Sequence, residues 1–202
     1  MTDRTLEFWY EFASSYSYLT AMRIEALADA SDITVRWRPF LLGPIFHKQG
    51  WTTSPFNLYP AKGRYMVRDI ERTAGVRGLA FALPDPFPAN GLSAARCAIV
   101  GLKDGWTPAF TRAVFEAEFV RGDNIADWDV LSRCLEAAGA DPASTRERAG
   151  DQEVKDALRT MTDEAEALGI FGAPTLVTPD DELFWGDDRL EAAIEWTRQH
   201  TA

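Results

Sequence analysis

The order in which the hydrophobic period changes along the chain constrains its fold most. Leu6, Phe8, Tyr10 and Phe12 alternate with other residues in a short aromatic run, the spacing of a strand with one face in a core. From Ser17 the repeat lengthens, and Leu19, Met22, Ala26 and Leu27 recur at helical spacing up to Asp29. Ile33, Val35 and Trp37 then alternate with Thr34, Arg36 and Arg38, which reads as a second strand. A crossover of this length joins parallel strands, so the opening is a βαβ unit. After the Gly43-Pro44 break the pattern is helical as far as residue 169, and strands return only after Ile170. Thr175 to Val177 and Leu183 to Trp185 flank a Pro179-Asp180-Asp181 turn and form a hairpin. Gly186-Asp187-Asp188 then opens a terminal helix carrying Leu190, Ala193, Ile194 and Trp196, with Asp187 or Asp188 as its cap.

Within the helical stretch, Thr107 reads as an N-cap with Pro108 at N1. Asp127 precedes the stripe Val130, Leu131, Cys134 and Leu135, and Gly139 ends that helix. Asp151 to Leu168 is a further acidic helix, and the proline-rich run from Leu83 to Gly91 is an irregular loop leading into a helix through Ala94, Ala98 and Val100. The expectation is an α/β fold in which residues 1–43 and 170–202 make one domain and residues 44–169 an inserted all-helical one.

Charge and composition narrow the function. The 31 acidic residues outnumber the 21 basic ones, for a formal charge of -10, which repels phosphate backbones and argues against nucleic acid as a partner. No run approaches the ~18 apolar residues of a membrane span, and the first residues lack a signal-peptide pattern, so a cytoplasmic protein without membrane attachment is expected. Two cysteines, Cys97 and Cys134, fall in helical segments with no CxxC and read as core residues. With only His47 and His200, zinc sites and Ser-His-Asp triads are poorly served, and no metal is expected.

Four segments carry a resemblance. Phe12-Ala13-Ser14-Ser15-Tyr16-Ser17-Tyr18-Leu19 resembles the F-x-S-P-[YF]-S-[YW]-L stretch of 2-hydroxychromene-2-carboxylate isomerases and kappa-class glutathione transferases. Pro60-Ala61-Lys62-Gly63-Arg64-Tyr65 with Asp69 and Arg72 is similar to their P-x-K-x-x-Y-x-x-x-D-x-x-R pattern, and Phe87-Pro88-Ala89-Asn90 to their F-P-x-N loop. Gly172-Ala173-Pro174-Thr175 followed by Trp185-Gly186-Asp187-Asp188-Arg189 is similar to their C-terminal signature. Ser15 departs from the pattern, standing where these proteins usually have proline beside the catalytic position. The resemblance implies a DsbA-like, thioredoxin-like fold with an inserted helical domain, a homodimer, glutathione as cofactor and a small aromatic carboxylate as substrate in the breakdown of naphthalene-type compounds.

It also implies roles for residues. Ser14 stands between a strand and a helix, where free N–H groups and the helix dipole favour negative charge, and its hydroxyl would stabilise a glutathione thiolate. Ser17 reads as a helix cap. Ala173 and Pro174 match the cis-proline site of the fold, where the Ala173 backbone would pair with the cysteinyl part of glutathione. Trp185 and Gly186 would add shape and backbone contacts, and Asp187 and Asp188 would receive the γ-glutamyl ammonium. Asn57 and Lys62 would lie near glutathione or the acidic substrate, His47 and Lys48 near the substrate carboxylate, and Asn90 at the mouth of the site or as a cap. Trp51, Phe56, Tyr59 and Phe87 are candidates for an aromatic pocket wall.

Other readings carry different signatures. A kappa-type transferase would keep the sulfur attached to its product. A DsbA-type oxidoreductase needs Cys-x-x-Cys where this chain has Ser14 to Ser17. A binding domain without turnover would be indifferent to loss of the Ser14 hydroxyl.

Overall fold

The structure is a computed structural model describing residues 4–50 and 58–200. Strand β1, Thr5–Tyr10, and strand β2, Thr34–Pro39, flank helices α1, Ser15–Ala21, and α2, Ile24–Asp29. The one helix expected here is thus two, broken at Met22 and Arg23. Helices α3, Leu42–Lys48, α4, Pro60–Val76, α5, Leu92–Asp104, α6, Thr107–Phe119, α7, Trp128–Ala137, α8, Pro142–Ala149, and α9, Gln152–Ala167, follow. The chain closes with strands β3, Thr175–Val177, and β4, Leu183–Trp185, a 3-10 turn at Asp187–Arg189, and helix α10, Leu190–Gln199.

The sheet has the order β2-β1-β3-β4. β1 and β2 are parallel, with Thr5 opposite Thr34 and Tyr10 opposite Pro39. β3 runs antiparallel to β1, with Phe8 opposite Leu176, and β4 antiparallel to β3, with Leu176 opposite Phe184. The expected βαβ unit and hairpin are both present.

Both faces of β1 are buried, because alternate side chains enter different clusters. Leu6, Phe8 and Tyr10 join the larger core with Phe12, Trp37 and Phe115, while Trp9 packs with Phe40, Ile45, Ala165, Ile170 and Val177 on the opposite side. Helix α6 is nearly all interior, with Phe110, Thr111, Val114, Phe115, Ala117, Glu118 and Phe119 buried. Helix α4 differs: only Met66, Ile70 and Ala74, spaced by four, are buried, so it leans on the core by one edge and leaves Tyr65 exposed.

Local details correct two sequence readings and agree with others. Gly43 and Pro44 lie inside α3, whose first turn leaves proline's missing N–H without cost. Thr107 is the first residue of α6, its hydroxyl donating to the Ala98 carbonyl at 2.8 Å instead of capping. Asp127 does cap α7, accepting from Asp129 N–H at 2.9 Å, and Gly139 follows its end at φ +78°. Cys97 and Cys134 are both buried free thiols. Among the described residues no helix is long and apolar enough to cross a membrane.

Candidate functional site around Ser14

Ser14 occupies the N-cap of α1 with extended backbone angles, φ −94° and ψ 110°. Its hydroxyl accepts from Ser17 N–H at 3.2 Å and donates to the Ala173 carbonyl at 2.9 Å. The cap and the contact to the Ala173 loop therefore fall on the same atom, because a hydroxyl both accepts and donates. Ser17 is not the cap: it lies within α1, wholly buried, and its Oγ has no hydrogen-bond partner. The contact with Ala173 joins residues 159 positions apart and brings two of the four sequence motifs together.

The Ala173-Pro174 peptide is cis, and the Pro174 carbonyl accepts from Gly186 N–H at 2.9 Å, tying the start of β3 to the corner after β4. Trp185 is half exposed and stacks edge-on with Phe171, ring centres 4.8 Å apart. Its indole fills the space over Gly172, where any Cβ would collide with the ring nitrogen. Gly186 has φ +113°, a left-handed geometry that side chains disfavour, and a Cβ there would stand 2.6 Å from an Asp188 carboxylate oxygen.

The two aspartates that follow have different fates. Asp187 is 3% exposed and points inward, where it accepts from Thr20 Oγ1 at 3.0 Å, Arg23 Nε at 3.4 Å and Arg77 Nη1 at 2.5 Å. Neither aspartate caps through its side chain, since the turn begins at Gly186 without one. Asp188 is exposed and pairs with its neighbour Arg189 at 2.8 Å. Of the two, Asp188 is the carboxylate presented to solvent beside Gly186.

Tyr16, two residues beyond Ser14, donates to Asp69 Oδ2 at 2.8 Å and so ties α1 to α4. Burial first, then the Asp69 carboxylate and the more distant Tyr65 and Asp188, hold its hydroxyl protonated well above the ordinary tyrosine range. This network brings α4, α1 and the Asp188 corner around one side of Ser14.

Other sequence candidates are more dispersed. Lys62 is exposed near the start of α4, and Asn57 lies outside the described residues with Trp51 and Phe56. His47 and Lys48 end α3 on the surface, with Lys48 paired to Glu166, which raises the lysine's proton affinity. Asn90 is exposed and its side chain accepts from Leu92 N–H at 3.1 Å just ahead of α5, whose N-cap is Gly91 and not Asn90. Phe87 packs against the core beside Phe119, and Tyr59 is exposed. The described residues contain no cluster of metal-ligating side chains.

Sequence reasoning did not assign Arg23 and Arg77, which hold Asp187, or the tie from Tyr16 to Asp69. Tyr16 and Asp69 stood inside the recognised motifs, but their pairing required knowing that α4 returns to α1. Arg77 gave no signal, being a single charge at a helix end.

A strand-helix junction facing a cis-proline loop defines a thioredoxin-type site, and the comparisons agree. The family model for the DSBA-like thioredoxin domain matches residues 5–195, and the chain belongs to that family. Among curated proteins, it is 26% identical over 189 residues to the 2-hydroxychromene-2-carboxylate isomerase of Sphingobium xenophagum, a match covering 93% of this chain and 95% of that protein. It is also 26% identical over 201 residues to human glutathione S-transferase kappa 1, covering 93% of this chain and 88% of that one. A solved 2-hydroxychromene-2-carboxylate isomerase shares the fold with a TM-score of 0.85 at 23% identity, over 96% of this chain and 97% of the other.

Proposed function

We propose that the protein is a glutathione-dependent isomerase acting on 2-hydroxychromene-2-carboxylate or a closely related aromatic carboxylate, converting it reversibly to the trans-o-hydroxybenzylidenepyruvate form. The observation that carries this reading is the Ser14 hydroxyl, set at the start of α1 and bonded to the Ala173 carbonyl, in a chain with no cysteine there. The likeness to isomerases and kappa transferases supports it.

The residues suit glutathione by their donor chemistry. Ser14 offers a rotatable O–H beside the N-terminal amides of α1, a setting that favours a thiolate. Asp188 offers a carboxylate for an ammonium, Lys62 an ammonium for a carboxylate, and Ala173 its backbone. Gly186 and the Trp185 indole shape the corner between them. When bound, glutathione supplies the nucleophilic sulfur and returns unchanged. Ser14 would turn its hydroxyl from Ala173 toward that sulfur, and the exposed faces of Tyr59 and Trp185 would flank the aromatic substrate. Asn57, His47, Lys48 and Asn90 belong to the same proposal as contacts of glutathione or the substrate carboxylate. The proposal extends to a homodimer in the cytoplasm, with residues 44–169 as a helical domain inserted into the thioredoxin-like one.

Turnover of 2-hydroxychromene-2-carboxylate, followed optically with and without glutathione, tests the reading. The expected result is strictly glutathione-dependent isomerisation that falls by about 10²-fold in Ser14→Ala, the scale of losing one preorganised donor. Isomerisation without glutathione, or at wild-type rate in Ser14→Ala, would overturn it. A product retaining the glutathionyl group would point to the kappa-type transferase instead.

A further inference from the structure

Two carboxyl groups lie behind the Ser14 turn, and no cation among the described residues is paired with either. Glu118 is on α6, three and four residues from Phe115 and Val114 and seven from Thr111, so the four share a stripe. That stripe meets β1 and α1: Thr111 Oγ1 bonds the Tyr10 hydroxyl at 2.8 Å, and the Phe115 ring lies 5.5 Å from Phe12 and 6.3 Å from Tyr18. Glu118 is 0% exposed, and neither of its carboxyl oxygens has a hydrogen-bond partner. Such a pair of orphaned oxygens is rare in a folded core and calls for a reason.

Glu11 follows β1 and holds the turn itself. Its carbonyl accepts from Ser14 N–H at 3.0 Å, and the Ala13 N–H lies close enough to its carboxyl to favour the charged form. Gly91 leaves it room, since a Cβ there would stand 3.0 Å from Phe12 Cβ and 3.3 Å from Glu11 Oε1. Burial pushes the Glu11 carboxyl up to about 7 against the pull of Ala13. Burial, and then repulsion by Glu11, hold Glu118 well above the carboxylate range.

Further titratable groups lie on the elements packed here, Arg112 and Glu116 on α6 among them. Burial raises Tyr10 on β1 and Tyr18 on α1, and pushes the Cys97 thiol on α5 up to about 12 and the Cys134 thiol on α7 up to about 11. Arg96 on α5 is partly buried, while Lys103, Asp104, Asp129, Arg133 and Glu136 on α5 and α7 are exposed.

We propose that Glu11, backed by the buried and unpartnered carboxyl of Glu118, is a positioning residue for Ser14 whose carboxyl sets the hold on the turn. Ionised, Glu11 draws in the Ala13 N–H and fixes the residue that precedes Ser14, since hydrogen bonds to charged acceptors are the stronger kind. Protonated, it releases that hold, and the Ser14 hydroxyl loses its aim. The proposal rests on the reading of Ser14 as the glutathione-handling residue only for its effect on turnover.

The test therefore has a readout on the protein and a readout on activity. Carbon-13 NMR of the glutamate carboxyls, with amide shifts of Ala13 and Ser14, is recorded across pH for wild type, Glu11→Gln and Glu118→Gln. The expected result is a Glu11 step near neutrality that the two amides follow, lost in Glu11→Gln, and a separate step, displaced upward from the ordinary carboxylate range, lost only in Glu118→Gln. In pH profiles of kcat, Glu11→Gln, which keeps an acceptor, should stay within about threefold of wild type at its optimum without the wild-type inflection, while Glu11→Ala falls about tenfold with KM for glutathione unchanged. Amides that ignore the Glu11 step, or a Glu11→Ala variant altered only in thermal stability, would overturn the proposal. If wild type fails to isomerise but the amides track Glu11, the positioning role stands and the isomerase reading falls.

Discussion

Asp187, under the corner after β4, and Glu118, behind the Ser14 turn, are almost equally hidden from solvent, yet only the first has partners. Asp187 is held by Thr20 and Arg23 at the end of α1 and by Arg77 after α4, two separate parts of the chain. Glu118 has none, and its burial is tolerable only while it keeps its proton. One side of the site thus settles a buried acid by ion pairing and the other by protonation. The first arrangement fixes geometry, binding the Asp188 corner to α1 and the end of α4. The second leaves a group whose charge follows pH.

The largest effect should come from breaking the paired side. Asp187→Leu leaves Arg77 without this carboxylate and Arg23 with Glu191, and loss of a partner from a buried pair costs about 3 kcal/mol, the lower end of the range because both arginines are partly solvated and Arg23 keeps a partner. Chemical denaturation measures it; a cost below about 1 kcal/mol would make the cluster no more than a surface pair.

The unpaired side should respond in the opposite direction and with pH. Folding raises the proton affinity of Glu118, so its contribution is most favourable below the ordinary carboxylate range, where folded and unfolded chains are both protonated. As pH rises through that range the unfolded chain releases its proton first, and stability is lost. Glu118→Gln keeps a neutral group at all pH values and should raise Tm at pH 8 relative to wild type by about 2–4 °C, for roughly 1 kcal/mol, with a smaller gain at pH 4. Equal shifts at both pH values would show that Glu118 does not titrate on unfolding.

The smallest effect concerns the cysteines. Burial pushes the Cys97 thiol up to about 12 and the Cys134 thiol up to about 11, so neither supplies thiolate at neutral pH. A thiol reagent should leave both unmodified in the native protein and label both in denaturant. Native labelling would reopen a redox role and blur the contrast with Cys-x-x-Cys relatives.

The sheet and its parallel opening were legible because β1 and β2 alternate cleanly, and the return of strands after Ile170 closed the pattern. Ser14, Ala173 and Asp188 were picked out as candidates by motifs with ordered spacing. What escaped were features that depend on long-range approach. The α1–α2 break at Met22 leaves no proline or glycine in the sequence to mark it. Asp187 and Asp188 are indistinguishable in sequence, and only the inward path of the turn separates them. Glu11 in an aromatic run and Glu118 on an apolar helix face were visible as exceptions to periodicity, but their convergence on the Ser14 turn needed β1 and α6 to be packed together.

The central claim is that Ser14 stabilises a glutathione thiolate. Ultraviolet absorbance of glutathione bound to the protein, titrated across pH for wild type and Ser14→Ala, tests it without reference to any second substrate. The account predicts that bound thiol ionises at least about one unit below the ~8.5 of an unperturbed thiol in wild type, with most of that displacement lost in the variant. Ionisation of bound glutathione at the free value in wild type, or an undiminished displacement in Ser14→Ala, would contradict it.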